Sequence, residues 1–120
     1  METLRRSLTI LAVESWRLSR AFEKTMESMD PETARRQRSR LKWFLKKTEE
    51  ALNESDLRLV DLTGREFDPG LAVTALNIDD FAPEDRLVIS QMVEPVIMDG
   101  RGVLKAGTAI LEKLDTPAST

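Results

Sequence analysis

An α+β fold, with an N-terminal helical hairpin followed by a small all-β domain, is what this chain predicts, and three observations carry the expectation. Apolar residues recur in alternating steps of four and three from Leu4 to Met29. An Asp30-Pro31 break restarts a second helical pattern. Beyond Asp56 the periodicity shortens to strand-like runs bounded by Gly, Pro and Asp. Helices first and antiparallel strands after is the α+β arrangement.

The first helix is expected over residues 2–29. Leu4, Leu8, Leu11, Ser15, Leu18, Phe22, Thr25 and Met29 keep the spacing of a coiled-coil seam. Ile10, Ala12 and Trp16 add a second apolar strip, so the helix packs on more than one neighbour. Asp30 suits an N-cap, and Pro31 suits the first helical position, where no donor is needed. The second helix is expected to run to about Asn53, with Ala34, Leu41, Leu45, Thr48 and Leu52 as its seam. A short link makes the two an antiparallel hairpin. Such a hairpin cannot close a core alone, whereas two hairpins paired into a four-helix bundle can. Leu11, Leu18, Phe22, Leu41 and Leu45 are therefore the expected interface of a homodimer.

Leu57–Leu62, Leu71–Ile78, Leu87–Val93, Val96–Met98 and Val103–Leu111 read as strands of an antiparallel sheet, with Pro95 as a bend and Asp99-Gly100 as a hairpin turn. The expected divisions are a helical dimerisation region over 1–55, a β-domain over 56–114 and a disordered tail over 115–120.

Composition excludes several chemistries. The 120 residues include no Cys, His or Tyr, which removes thiolate chemistry and the imidazole ligands and bases of many enzymes. The carboxylates and lysines stand in no catalytic or calcium-loop motif, and Gly100-Arg101-Gly102 lacks the strand-and-helix setting of a phosphate loop. A non-enzymatic protein without metal or cofactor is expected. The apolar run after Arg6 breaks at Glu14, too short to span a bilayer, so the expectation is a cytoplasmic protein without a membrane partner. Charge is segregated: seven cations lie between Pro31 and Lys47, and ten acidic against four basic residues lie between Glu66 and Asp115. Seven cations raise the possibility of nucleic acid, but they point around the helix and the pI is about 5.1, which argues against it.

Five motifs in order resemble GrpE-type nucleotide-exchange factors, the partners that make a DnaK-type chaperone release ADP. Leu18-Ser19-Arg20-Ala21-Phe22 is similar to the end of the family's long helix, and Leu41–Leu52 to its bundle helix. Leu57-Arg58-Leu59-Val60 resembles the first strand, Phe67-Asp68-Pro69 matches the family's Phe-Asp-Pro, and Gly100-Arg101 with Val103-Leu104-Lys105 resembles Gly-Arg-Val-Leu-Arg with Gly102 inserted. The likeness spans about Leu11 to Leu111 and is to a divergent form with a shortened N-terminal helix. It implies a homodimer whose β-domain binds the chaperone's ATPase, with Phe67, Met92 and Arg101 as contacts. Three positions depart from the pattern: Ala72 replaces a His, Pro95-Val96 a Gly-Tyr, and Arg40 a Gly. Arg40 and Ala72 favour a second reading, an adaptor that keeps the fold but has lost exchange and serves a dedicated chaperone-like partner.

Overall fold

The computed structural model describes residues 2–114. Two helices precede six short strands: α1 (Glu2–Met26), α2 (Pro31–Glu54), β1 (Leu57–Val60), β2 (Val73–Ala75), β3 (Leu87–Glu94), β4 (Val96–Asp99), β5 (Gly102–Lys105) and β6 (Gly107–Lys113). The strands form two three-stranded sheets, ordered β1-β4-β5 and β2-β6-β3. The chain divides into two compact units. One holds residues 2–59 together with Asp99–Arg101, and the other holds Val60–Met98 and residues 102–114. The expected tail over 115–120 lies outside the described residues.

In the helical unit, the chain leaves α1 through a tightened turn. The amides of Glu27, Ser28 and Met29 donate to carbonyls three residues back, and α1 stops at Met26, three residues short of the sequence expectation. Pro31 holds Asp30 extended (φ −63°, ψ 152°), so the helix cannot continue through it. The Asp30 carboxylate accepts the Thr33 amide at 3.1 Å and caps α2, with Pro31 at its start as expected.

The face that α1 buries is not the seam with the coiled-coil spacing. Thr9, Ala12, Val13, Trp16, Ser19 and Met26 are buried, while Leu4, Leu11 and Leu18 are 64%, 63% and 67% exposed. Thr9 and Ser19 tolerate burial because each hydroxyl donates to the carbonyl four residues back, at 2.8 Å. The inner face of α2 follows the sequence pattern, with Ala34 and Leu52 buried and Leu41, Leu45 and Thr48 half-buried. A crevice of about 500 Å³ between the helices is lined by Ala12 and Trp16 on one side and Leu45 and Leu52 on the other. The hairpin is thus closed near its ends and loose at its middle.

The β unit is organised around β6. Gly107, Ala109 and Leu111 alternate inward along it, and it pairs on both edges. β3 runs antiparallel to it, with Ile89 opposite Leu111 and Met92 opposite Ala109. β2 runs parallel to it, with Val73 opposite Gly107 and Ala75 opposite Ala109. The expected all-antiparallel sheet is corrected here, and so is the long second strand. The region read as Leu71–Ile78 yields three paired residues and a single 3₁₀ turn, Ile78–Asp80. After Ala75 the side chain of Asn77 takes over the pairing. Its amide donates to the Leu111 carbonyl at 3.0 Å and its oxygen accepts the Leu111 amide at 2.9 Å, as a strand residue's backbone would. A register shift between Ile89 and Gln91 lets Leu87 and Ile89 point inward and then brings Met92 inward in place of Gln91, and a second shift follows between Met92 and Glu94.

Asn77 is therefore expected to be a structural anchor. Asn77→Asp keeps the acceptor but cannot donate to Leu111, and it places a carboxylate beside a carbonyl. A loss of about 1–3 kcal/mol is expected by denaturant unfolding. A variant as stable as the parent would show that the β2–β6 pairing does not need this bridge.

Candidate partner-binding site

The Gly64–Pro69 segment forms an edge beside β3. The Gly64 amide donates to the Ile89 carbonyl at 2.8 Å, Ile89 to Arg65 at 2.9 Å, and Phe67 to Leu87 at 2.7 Å. Gly64 sits at φ 92°, a conformation that side chains resist. The Asp61 carboxylate accepts both the amide and the hydroxyl of Thr63, at 3.0 and 2.6 Å, and shapes the approach to this edge. The Asp68 carboxylate then accepts the Gly70 amide at 2.9 Å, which turns the chain away at Pro69. Phe67 is half-buried between these features. It lines a cleft of mixed character, about 530 Å³, with Ile78, Phe81 and Leu87 among the apolar walls and Asp79 and Asp85 among the charged ones. On that wall Arg86 grips Glu66 with two nitrogens, at 2.9 and 3.2 Å. The hydrogen bonds and charge of Arg86 hold the Glu66 carboxyl below its ordinary 4.5, although the pair is exposed.

The second segment is the β4–β5 turn. Asp99 anchors it, accepting the Arg101 amide on one oxygen at 2.8 Å and the Arg5 guanidinium on the other at 2.9 Å. The Asp56 carboxylate accepts the Gly100 amide at 3.0 Å. A Cβ at position 100 would lie 2.6 Å from that carboxylate oxygen, so a larger residue there would displace the Asp56 side chain. Asp56 stands at φ 59°, the left-handed residue that ends α2. Arg101 is exposed within the turn itself, one place before β5 begins, and Gly102 follows at φ 135°. The arrangement fixes the backbone beneath Arg101 and leaves its side chain in solvent.

Met92 does not belong with these two. It is 2% exposed, opposite Ala109 on β6, and its terminal methyl would lie 2.8 Å from a Cβ at Gly107. The expectation of a partner contact at Met92 is corrected on that ground: the register shifts of β3 turn it into the core, where it has no surface to offer. Of the expected interface residues, Leu11 and Leu18 are exposed and Phe22 is half-buried. Leu41 and Leu45 instead line a crevice facing Arg20, Glu23, Lys24 and Met26 of their own α1. Arg40 is exposed on α2, and Ala72 is half-buried. Arg5 and Asp56, which fasten the turn, went unnoticed in sequence. Only the Asn-Glu-Ser-Asp composition at 53–56 hinted at a chain reversal there.

Among the described residues no group of three or more acidic side chains is placed to hold a metal ion, and no helix is long and apolar enough to cross a membrane. Comparison with family models, with curated proteins and with solved structures finds no match.

The Glu66–Arg86 pair gives a pH test. Because the Glu66 carboxyl is depressed on folding, its contribution is present above the ordinary 4.5 and is lost as the pH falls through the lower folded value. Glu66→Gln should therefore melt below the parent at neutral pH, and the difference should shrink as the pH falls below the ordinary 4.5 and Glu66 is protonated. A difference that stays constant across that range would show that the pair adds nothing to folding.

Proposed function

We propose that this chain is a nucleotide-exchange factor of GrpE-like layout, binding the ATPase domain of a DnaK-type chaperone in the cytoplasm and promoting release of ADP without catalysis of its own. The observation that carries the reading is the anchored turn under Arg101, in which Asp56, Asp99 and Arg5 fix the backbone and the guanidinium stays exposed. A guanidinium on a fixed base loses little freedom when it meets a carboxylate in two-pronged geometry. Phe67, half-buried on a separate edge, supplies apolar contact area. A partner that binds the chaperone's open, nucleotide-poor state more tightly must weaken ADP binding by the same factor.

Homodimerisation through the helices belongs to the same proposal. Leu4, Leu11 and Leu18, seven residues apart along one stripe of α1, are exposed in the single chain and supply a seam for a second copy. A second reading, the adaptor without exchange, is supported by the exposed cation at Arg40, where the resembled family has glycine.

The deciding experiment is release of labelled ADP from DnaK-type proteins with and without this chain. Acceleration supports exchange, binding without acceleration supports the adaptor, and neither outcome with any such chaperone overturns both. Arg101→Ala should leave the melting temperature unchanged and weaken the complex by about 2 kcal/mol, roughly thirtyfold; equal affinity would make Arg101 idle. Leu18→Asp places a charge on an exposed position of the single chain, so it should leave α1 helical while abolishing the dimer in sedimentation. A dimer of parent stability would locate the interface elsewhere.

A further inference from the structure

Two surfaces of this chain complement one another, and one of them is the cleft whose wall holds Phe67. The first is the outer face of α2. From Arg35 to Lys47 it carries seven cations and no acid. With Ala34, Leu41, Leu45 and Leu52 turned inward, those cations occupy the solvent side of the helix. Arg36, Arg40, Trp43 and Lys47 fall at steps of four, three and four, which places them on one stripe. Trp43 is 64% exposed at its centre. Lys47 lies over the indole at 5.7 Å and pairs with Glu50 at 3.6 Å, but no carboxylate among the described residues pairs with Arg36 or Arg40.

The second surface is the Phe67–Phe81 cleft of the β unit. Its volume of about 530 Å³ lies in the range that takes a substantial side chain or ligand, and the Phe67 and Phe81 rings stand in its walls. Two of its carboxylates are already satisfied: Glu66 by Arg86, and Asp85 by Lys113 at 3.5 Å and by the Ala82 amide at 2.9 Å. Asp79 in the cleft, and Asp80 and Glu84 close by in sequence, are exposed and have no paired cation among the described residues.

We propose that these surfaces bind one another between copies of the chain, with the Trp43 indole of one copy seated in the Phe67–Phe81 cleft of the next and Arg36 and Arg40 meeting the Asp79 and Asp80 carboxylates. The occupant is a second copy because the same sequence supplies both an exposed indole flanked by Arg36 and Arg40, which no carboxylate among the described residues pairs, and an aromatic cleft with Asp79 and Asp80 unpaired at its rim. Trp and Arg are each enriched at the energetic centres of protein interfaces. The contact joins unlike surfaces, so it is distinct from pairing along the α1 seam and adds to it. It is also electrostatic at its rim, so salt weakens it, whereas apolar pairing through Leu11 and Leu18 resists salt.

Sedimentation velocity of the full chain across a concentration series, at about 50 mM and about 500 mM salt, tests this directly. An association present at low salt and dispersed at high salt is expected, and Trp43→Ala should weaken it by about tenfold or more. Arg36→Glu with Arg40→Glu in one variant, and Asp79→Lys with Asp80→Lys in another, should each remove it. All four positions are exposed, so circular dichroism should report an unchanged fold. Mixing the two reversed variants should restore association, because their charges again complement each other. The proposal is overturned if the parent sediments identically at both salts, if its salt-sensitive association survives Trp43→Ala, or if the mixed variants stay apart. It is also overturned, in favour of nucleic acid, if the parent shows no self-association but binds a single-stranded oligonucleotide through Arg36 and Arg40. None of these outcomes depends on ADP release, so failure here and failure of the exchange reading can be told apart.

Discussion

The Glu94 carbonyl and the Met92 methyl leave no room for a side chain at position 107, where a Cβ would stand 2.7 and 2.8 Å from them. That close approach sets the register of β6, and β6 sets the rest of the β unit. With Gly107 opposite Val73, β2 runs parallel along one edge, and with Ala109 opposite Met92, β3 runs antiparallel along the other. The inward residues of a seven-residue strand thus bring together both neighbours. Leu87, Ile89, Met92, Ala109 and Leu111 are all 6% exposed or less as a result.

The helical unit follows a different logic. Its inner face closes at Ala34 and Leu52 and loosens around Leu41 and Leu45, and large apolar side chains stay outside at Leu4, Leu11, Leu18 and Trp43. Single exposed apolar residues are ordinary, but a repeated stripe of leucines and a tryptophan among cations are not scattered. A chain with a small core per residue gains much from covering such surfaces. In the proposed dimer the helices are the adhesive part of the molecule.

Helices were legible because their causes are local. The Asp-Pro restart and the inner seam of α2 depend on neighbours a few residues away, and both came out as read. The heptad pattern of α1 was real but marked the uncovered face, since spacing alone does not say which of two apolar strips a single chain buries. The exposure of Arg101 was legible from Asp99-Gly100, because a tight turn projects its residues outward. What was hidden lay at long range. The parallel pairing of β2 depends on Asn77 reaching Leu111, 34 residues away, and the anchoring of the turn depends on Arg5, 94 residues from Asp99. Met92 was misplaced because its strand shifts register twice, and alternation read along a single strand cannot reveal a bulge.

The bond from Asp56 to Gly100 has a consequence for motion. Asp56 is the reversal that ends α2, and its own amide is held by the Asn53 carbonyl at 3.1 Å. Its carboxylate holds the β4–β5 turn. Unwinding the last turn of the helix would therefore carry the carboxylate away from Gly100, and loosening the turn would strip the helix end of its ordered Asp. The two events share one opening equilibrium, so the terminus of a helix and a distant loop behave as a single local unfolding unit. The final turn of α2 thus shares with Asp99 and Arg5 the task of holding the backbone beneath Arg101.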